Sequence, residues 1–315
     1  MIPLVDGSPR DRARQWYRLL PLVGRDVDVA YFPWNLAVNG YEPLLETGLP
    51  FVVSCRGGQI NVYPHVPGRE RVPAQLERTF RRATAVHCVS RDILDEAQRY
   101  GLDPAKARVI PPAVDTDTFV PAAVPRPAGR CLEIVTTGSL NWRKGLEYML
   151  VAFAKAVREG LDARLTIVGS GPERQRVLYT RDDLGLGARV NLVGALEPAK
   201  VVETLQASDM FVLASLSEGI ANAVLEAMAC GLPVVTTDCG GMAEAVTDGV
   251  EGFVVPVRDP DTMAARFVQL GRDPELRARM GQLGRARVQR DFELRDQARA
   301  MADLFRAAAS GRMAS

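Results

Sequence analysis

A chain of 315 residues, 47% apolar and 24% charged, is long enough for two ordinary domains that each bury a core without staples. A net charge of +1 supplies no general field to recruit nucleic acid or an anionic membrane. Five cysteines without a C-x-x-C spacing suit reduced thiols in a cytoplasmic protein, two histidines argue against a His-based metal site, and no run of ~18 apolar residues exists to span a bilayer.

Short apolar runs rich in β-branched residues alternate with longer Ala/Leu/Arg segments. The first 30 residues are broken by Pro, Arg and Asp and do not read as a signal peptide. A helix is predicted over 10–20, strands over 28–32 and 50–54, a helix over 73–82, a strand over 85–89, a helix over 91–100 and a strand over 109–110. The stretch VPAAVPRPAGR, 120–130, carries three prolines in eleven residues, which neither a helix nor an internal strand tolerates. Strands then follow at 132–136, 163–168, 190–193, 210–214, 233–236 and 252–255. Helices are predicted between them at 145–159, 172–184, 198–207, 221–229 and 240–247. Helices dominate after Pro256, over 260–271, 274–290 and 292–309. The alternation predicts an α/β fold with parallel sheets covered on both faces. The expected organisation is a domain over 1–120, a linker over 121–130, a second domain over 131–292 and a C-terminal helix, 293–315, returning toward the first domain.

Four strand ends carry chemistry. LASLSEGIANAVLEAMACGLPVVTT, 213–237, reads as strand end, loop, helix, turn and strand. A helix entered just after Gly219 directs free N–H groups and its positive dipole end at the loop, which favours an anion. Glu218 sits in that loop and Glu226 lies about one and a half turns into the helix. Carboxylates accept hydrogen bonds from vicinal hydroxyls, as α/β folds do when they hold a ribose. In TTGSLNWRKGLEYML, 136–150, a strand ends at Gly138, and Arg143 and Lys144 precede a helix opened by Gly145, where a diphosphate meets two cations and a helix N-terminus together. TIVGSGPERQ, 166–175, has a G-x-G turn without a third glycine, and LVGAL, 192–196, is another strand end; by the switch-point rule these ends face one crevice. Taken singly, each motif has a plain structural alternative: a solvated loop acid, a surface helix acid, a charged turn or a tight glycine turn.

Together, G-S-L-N-W-R-K-G, L-T-I-V-G-S-G-P, the E-x7-E of Glu218 and Glu226, A-M-A-C-G-L-P-V-V and G-G-M-A-E-A-V-T-D-G-V-E-G-F-V-V-P resemble the donor domain of family 4 glycosyltransferases over about 134–256. The resemblance implies the GT-B fold of two facing Rossmann-like domains. It also implies transfer of a sugar from a nucleoside diphosphate donor, with retention, without a metal or other cofactor. It assigns Lys144 to the donor diphosphate, Glu226 to the ribose hydroxyls and Glu218 to the donor sugar. The backbone of Gly219, Ile220, Ala221 and Asn222 would cradle sugar and phosphate, and Gly194 and Leu196 would lie near the base. Gly138, Ser139 and Arg143 complete the expected donor set. Ser139 stands where the family usually has an Arg, five residues before the Lys.

VAYFPWN and PFVVSCRGGQINVYP are similar to the later part of the family's acceptor domain, and AVHCVSRDILDEAQRYGLDPAKARVIPPAVDTDTF to the run into its linker. Arg56-Gly57 replaces the family's usual His-Gly, on the acceptor or sugar side. The opening strand and Gly-rich loop are not recognisable before Asp28. The first domain is therefore expected to be incomplete, and either the chain is truncated or a partner chain or dimer covers that surface.

The expected partners are a nucleotide sugar and a carbohydrate or lipid-linked acceptor, not nucleic acid. A helix face carrying Arg78 with Arg81 or Arg82 reads first as a solvated face, with peripheral contact at the inner face of the cytoplasmic membrane as the alternative. The expected role is surface polysaccharide or glycoconjugate synthesis. The rival readings are a donor-binding but catalytically weak subunit or regulator, and a nucleotide-sugar epimerase of the same fold.

Overall fold

The computed structural model describes residues 25–41, 44, 47–124 and 131–311, with isolated positions between 10 and 19. The helix expected over 10–20 therefore lies outside the described residues, apart from those positions. The chain separates into two compact units, Met1–Pro111 with Gln297–Ser315, and Pro112–Asp296.

The first unit holds a parallel sheet of β1 (Ala30–Phe32), β2 (Phe51–Cys55), β3 (Ala85–Cys88) and β4 (Ala107–Val109), in that order. Alternation along the strands sorts side chains between two cores. Phe51, Val53, Val86 and Cys88 face one core with Leu76 and Phe80 of α2 (Val72–Arg82) and Ile93 of α3 (Arg91–Gln98); α1 is the short helix Gly58–Asn61. Ser90 starts α3 by accepting the Ile93 N–H at 3.1 Å. Val52 and Ala85 face the other side, where Leu304 and Ala308 of the C-terminal helix (Leu294–Ala309) cover them. That helix thus packs on the first unit's sheet.

The second unit is built on β5 (Leu132–Thr137), β6 (Ala163–Val168), β7 (Val190–Gly194), β8 (Met210–Leu213), β9 (Val234–Thr237) and β10 (Gly252–Val255). All pairs are parallel, in the order β10-β9-β8-β5-β6-β7. The central strands β8 and β9 are buried at every position because both faces are covered, whereas β7 at the edge is half exposed. Ile134, Leu165, Met210, Val212 and Val235 face one core; Val135, Val168, Phe211, Leu213 and Val234 face the other. The order of successive strands reverses between β5 and β8, and Asp209 closes that seam: its N–H donates to Glu133 O at 2.7 Å and its Oδ2 accepts the Glu133 N–H at 2.8 Å.

The proline-rich stretch 121–130 does not mark the division between units; residues 125–130 lie outside the described residues. Residues 112–119 belong to the second unit because their backbone is bonded into it. Val114 N–H donates to Phe292 O at 3.0 Å and Leu294 N–H to Val114 O at 3.2 Å. Arg285 donates to the carbonyls of Thr116, Phe119 and Ala229. No helix among the described residues is long and apolar enough to cross a membrane.

Candidate functional site

At a reversal of strand order in a parallel sheet, two neighbouring loops leave in opposite directions and open a crevice beyond the strand ends. Here the loops follow β5 and β8, and they carry Lys144 and Glu218.

The β5 loop runs from Gly138 to a single 3-10 turn, Trp142–Lys144, which Asn141 starts by accepting the Arg143 N–H on its side chain at 3.0 Å. Gly145 then enters helix α4 (Leu146–Arg158) at φ +55°, where any Cβ would stand 2.2 Å from Ala214 O. Only glycine allows this approach, and it brings the two loops together. Leu216 N–H donates to Arg143 O at 2.6 Å across the same gap.

Lys144 Nζ thereby reaches Glu218 Oε1 at 2.6 Å, and each side chain is 17% exposed. Ser215 Oγ donates to the same Glu218 oxygen at 2.8 Å. Thr237, at the end of β9, donates its hydroxyl to Ser215 O at 2.5 Å. The Glu218 carboxylate is therefore held in place by a cation and a hydroxyl that is itself anchored. Gly240, at φ +57°, lets a third loop close in: its Cβ would meet Glu218 O at 2.0 Å, and the neighbouring Gly241 N–H donates to Gly219 O at 2.7 Å.

Beside this pair lies an open cleft of about 440 Å³. Its walls include Gly138 and Ser139 after β5, Gly169 and Ser170 after β6, Leu196 after β7, and Ala223 and Glu226 of the helix after β8, Asn222–Ala229. Burial raises the Glu226 carboxyl above its ordinary value of 4.5. That helix begins with Ala221 in extended conformation and no side-chain cap, so its first amides are directed at the loop.

The structure thus gathers Gly138, Ser139, Leu196 and Glu226 around one cleft, and Lys144 and Glu218 adjoin it through Gly138, whose added Cβ would meet Lys144 Cε at 3.5 Å. Gly219 to Asn222 form the neighbouring backbone. Ile220 and Ala221 are buried in the core, so any contact they offer is through main chain. Gly194 does not line the cleft; its carbonyl accepts the Gly169 N–H at 2.7 Å and fixes the turn above it. Arg143 takes part through its carbonyl. Arg56 and Gly57 belong to the first unit, at the end of β2. Sequence reasoning missed Ser215, Thr237 and Gly240, which support Glu218 and make no sequence pattern of their own. Among the described residues no cluster of His, Cys, Asp or Glu could hold a metal ion.

A family model for glycosyl transferases group 1 matches residues 127–287, and one for glycosyltransferase family 4 matches residues 3–118. The chain belongs to this family of GT-B glycosyltransferases. D-inositol 3-phosphate glycosyltransferase of Segniliparus rotundus is 33% identical over 205 residues, 61% of this chain and 45% of the relative. N-acetyl-alpha-D-glucosaminyl L-malate synthase of Bacillus anthracis is 37% identical over 154 residues, 48% of this chain and 40% of the relative. The match thus spans less than half the length of each. Two solved structures share the fold. Sucrose-phosphate synthase of Thermosynechococcus elongatus superposes with a TM-score of 0.83 at 21% identity, covering 98% of this chain and 82% of that one. Anabaena Alr3699/HepE in complex with UDP gives 0.77 at 19%, covering 89% and 79%.

Proposed function

We propose that this glycosyltransferase moves a sugar from a nucleoside diphosphate sugar to a hydroxyl acceptor, with retention of anomeric configuration. The observation that carries the reading is the Lys144–Glu218 ion pair set beside the Glu226 cleft at the reversal between β5 and β8. A nucleoside diphosphate sugar has three parts that fit these three features. Its ribose diol donates to Glu226, its diphosphate meets Lys144 and the amides that open the Asn222–Ala229 helix, and its sugar meets Glu218.

Transfer breaks the bond between the anomeric carbon and the diphosphate oxygen. Negative charge grows on that oxygen, so Lys144 binds the transition state better than the ground state. The acceptor hydroxyl attacks from the face the diphosphate leaves, and its proton passes to the departing oxygen. Neither carboxylate is needed as a general base, and no step calls for a metal ion. The names of the relatives, an inositol phosphate glycosyltransferase and a glucosaminyl malate synthase, agree with sugar transfer, as does the UDP held by the Anabaena neighbour. We extend the proposal to a cytoplasmic role in surface polysaccharide or glycoconjugate synthesis, with a carbohydrate or lipid-linked acceptor.

The test is a thermal-shift screen with UDP-, GDP- and ADP-sugars, followed by assay for released nucleoside diphosphate. Stabilisation with release supports a transferase. Stabilisation without release on addition of hydroxyl acceptors marks a donor-binding regulator, and a C2-inverted sugar marks an epimerase. No stabilisation by any nucleotide sugar sinks the donor site.

A further inference from the structure

The C-terminal edge of the first unit's sheet carries a second polar assembly. Arg56 follows β2 directly and is exposed. Its Nε donates to Ser54 Oγ at 3.3 Å and its Nη2 to the Tyr31 hydroxyl at 3.4 Å. Its guanidinium carbon lies 6.0 Å from the ring centroid of Trp34, which is 48% exposed. Among the described residues no carboxylate pairs with Arg56.

Beneath it, a buried chain fixes the direction of every proton. His87 Nε2 faces Ile110 O at 2.7 Å, and a carbonyl can only accept, so Nε2 carries the proton. His87 Nδ1 is then bare and takes the Ser54 hydroxyl proton at 2.5 Å. Ser54 Oγ consequently offers only lone pairs to Arg56 Nε. Ser54 and His87 are 0% and 1% exposed. Burial pushes the His87 ring down to about 4, ahead of the charge of Arg56 and against the pull of the Ile110 carbonyl, so the ring stays neutral at pH 7. The Ser54 and Tyr31 contacts occupy the Nε/Nη2 edge of the guanidinium, and its opposite Nη1/Nη2 edge remains as a fork for a bidentate anion.

The loop after β1 carries one more polar group. Asn35, next to Trp34, is 1% exposed, and neither its Oδ1 nor its Nδ2 has a hydrogen-bond partner among the described residues. Buried amides are normally satisfied, so this one is an exception in the loop after β1.

We propose that this edge is an anion site in which Arg56 takes the carboxylate or phosphate of an acidic sugar stacked against Trp34, with Ser54 and His87 as positioning residues that aim the guanidinium. Given the glycosyltransferase reading, on which this assignment rests, the acceptor carries that acidic group. Trp34 supplies the flat apolar face a sugar ring covers, and a fixed fork loses less freedom on binding than a mobile one.

Trp34 is also the reporter. In a W16F/W142F background its fluorescence is titrated with D-glucuronate, with inorganic phosphate and with D-glucose, and nucleotide stabilisation is measured on the same samples. The expected result is a saturable signal with an anion and none with glucose. Arg56→Met weakens it by roughly tenfold or more, and Arg56→Lys restores part of it. Ser54→Ala and His87→Leu each weaken it several-fold, whereas His87→Gln, whose amide keeps one donor and one acceptor, holds it. If His87→Leu does not fold, the Ser54→Ala comparison stands alone. Saturation by glucuronate but not phosphate assigns a carboxylate ligand, and the converse assigns a phosphate. A linear response, no response, or equal affinity in Arg56→Met overturns the site. Nucleotide stabilisation is expected to survive Arg56→Met. If no nucleotide stabilises even the parent, the glycosyltransferase reading fails while the anion titration still decides Arg56.

Discussion

Replacing Lys144 by methionine keeps the length of the side chain and removes its charge, and the geometry separates two consequences. Glu218 loses the ammonium group 2.6 Å away but retains the Ser215 hydroxyl at 2.8 Å. A carboxylate 17% exposed that keeps the Ser215 hydroxyl pays only part of the cost of a stranded buried charge, so the loss of stability is about 1–2 kcal/mol. At about 2–4 °C per kcal/mol, the melting temperature falls by a few degrees. Turnover falls much further. A cation aimed at charge that develops only in the transition state contributes about 3–4 kcal/mol, so kcat drops by about 10²–10³. The assay is release of nucleoside diphosphate at saturating donor, read beside a melting curve. Turnover within about threefold of the parent refutes the role of Lys144. So does a loss of activity that merely follows the folded fraction, because the pair is then a structural tie and no more.

Gly240→Ala forces a Cβ to 2.0 Å from Glu218 O at φ +57°, so the Glu218 loop must move; nucleotide stabilisation should shrink by more than the melting temperature of the free protein. The raised Glu226 carboxyl means the folded chain holds a proton that the unfolded chain releases near 4.5. The stability it contributes is therefore present below that value and lost as pH rises through the folded one. Ribose hydroxyls favour the charged form, so nucleotide affinity should rise over the same window with proton release, and Glu226→Gln should flatten the calorimetric profile. Arg285→Ala removes donors to three carbonyls, including Phe119 O at 2.9 Å, and should lower stability by about 2–3 kcal/mol, seen as a lower urea midpoint at unchanged slope. Burial holds the Cys239 thiol up at about 11, so iodoacetamide at pH 7.5 should label it only after unfolding; rapid labelling of the native chain would contradict that burial.

Most strands were readable because they are short apolar runs rich in β-branched residues, as β5 and β9 show, and all ten predicted strands match observed ones within two residues at either end. Their order was not readable, since nothing in the sequence says that β5 pairs with both β6 and β8. The cleft was half visible. Glu226 and Ser139 stand in motifs with fixed spacing from a glycine or a helix start. Lys144 and Glu218 each stood out, yet their pairing joins positions 74 residues apart and depends on strand order. Ser215 and Thr237 carry no local pattern, because their task is set by what the fold brings to them. The division between units was misplaced for a related reason: prolines mark where regular structure stops, whereas the backbone bonds of Val114 decide which core a segment joins.

The loops of the site are tied to one another, and that bears on how binding energy is used. The loops after β5, β8 and β9 are tied to one another by main chain, Leu216 N–H to Arg143 O and Gly241 N–H to Gly219 O, and by the Thr237 hydroxyl donating to Ser215 O. Two of the approaches, at Gly145 and Gly240, are so close that no other residue fits. Ordering three loops around a diphosphate would otherwise cost about 1–2 kcal/mol per residue fixed. Here that cost was met in folding, so contacts with the diphosphate are not consumed in assembling the site. The Lys144–Glu218 pair fits the same logic. A lone cation beneath an empty diphosphate site would be free to swing or to recruit other anions. Paired with an anchored carboxylate it stays at the strand end, and an ammonium with three donors can keep Glu218 while it turns another proton to the leaving oxygen.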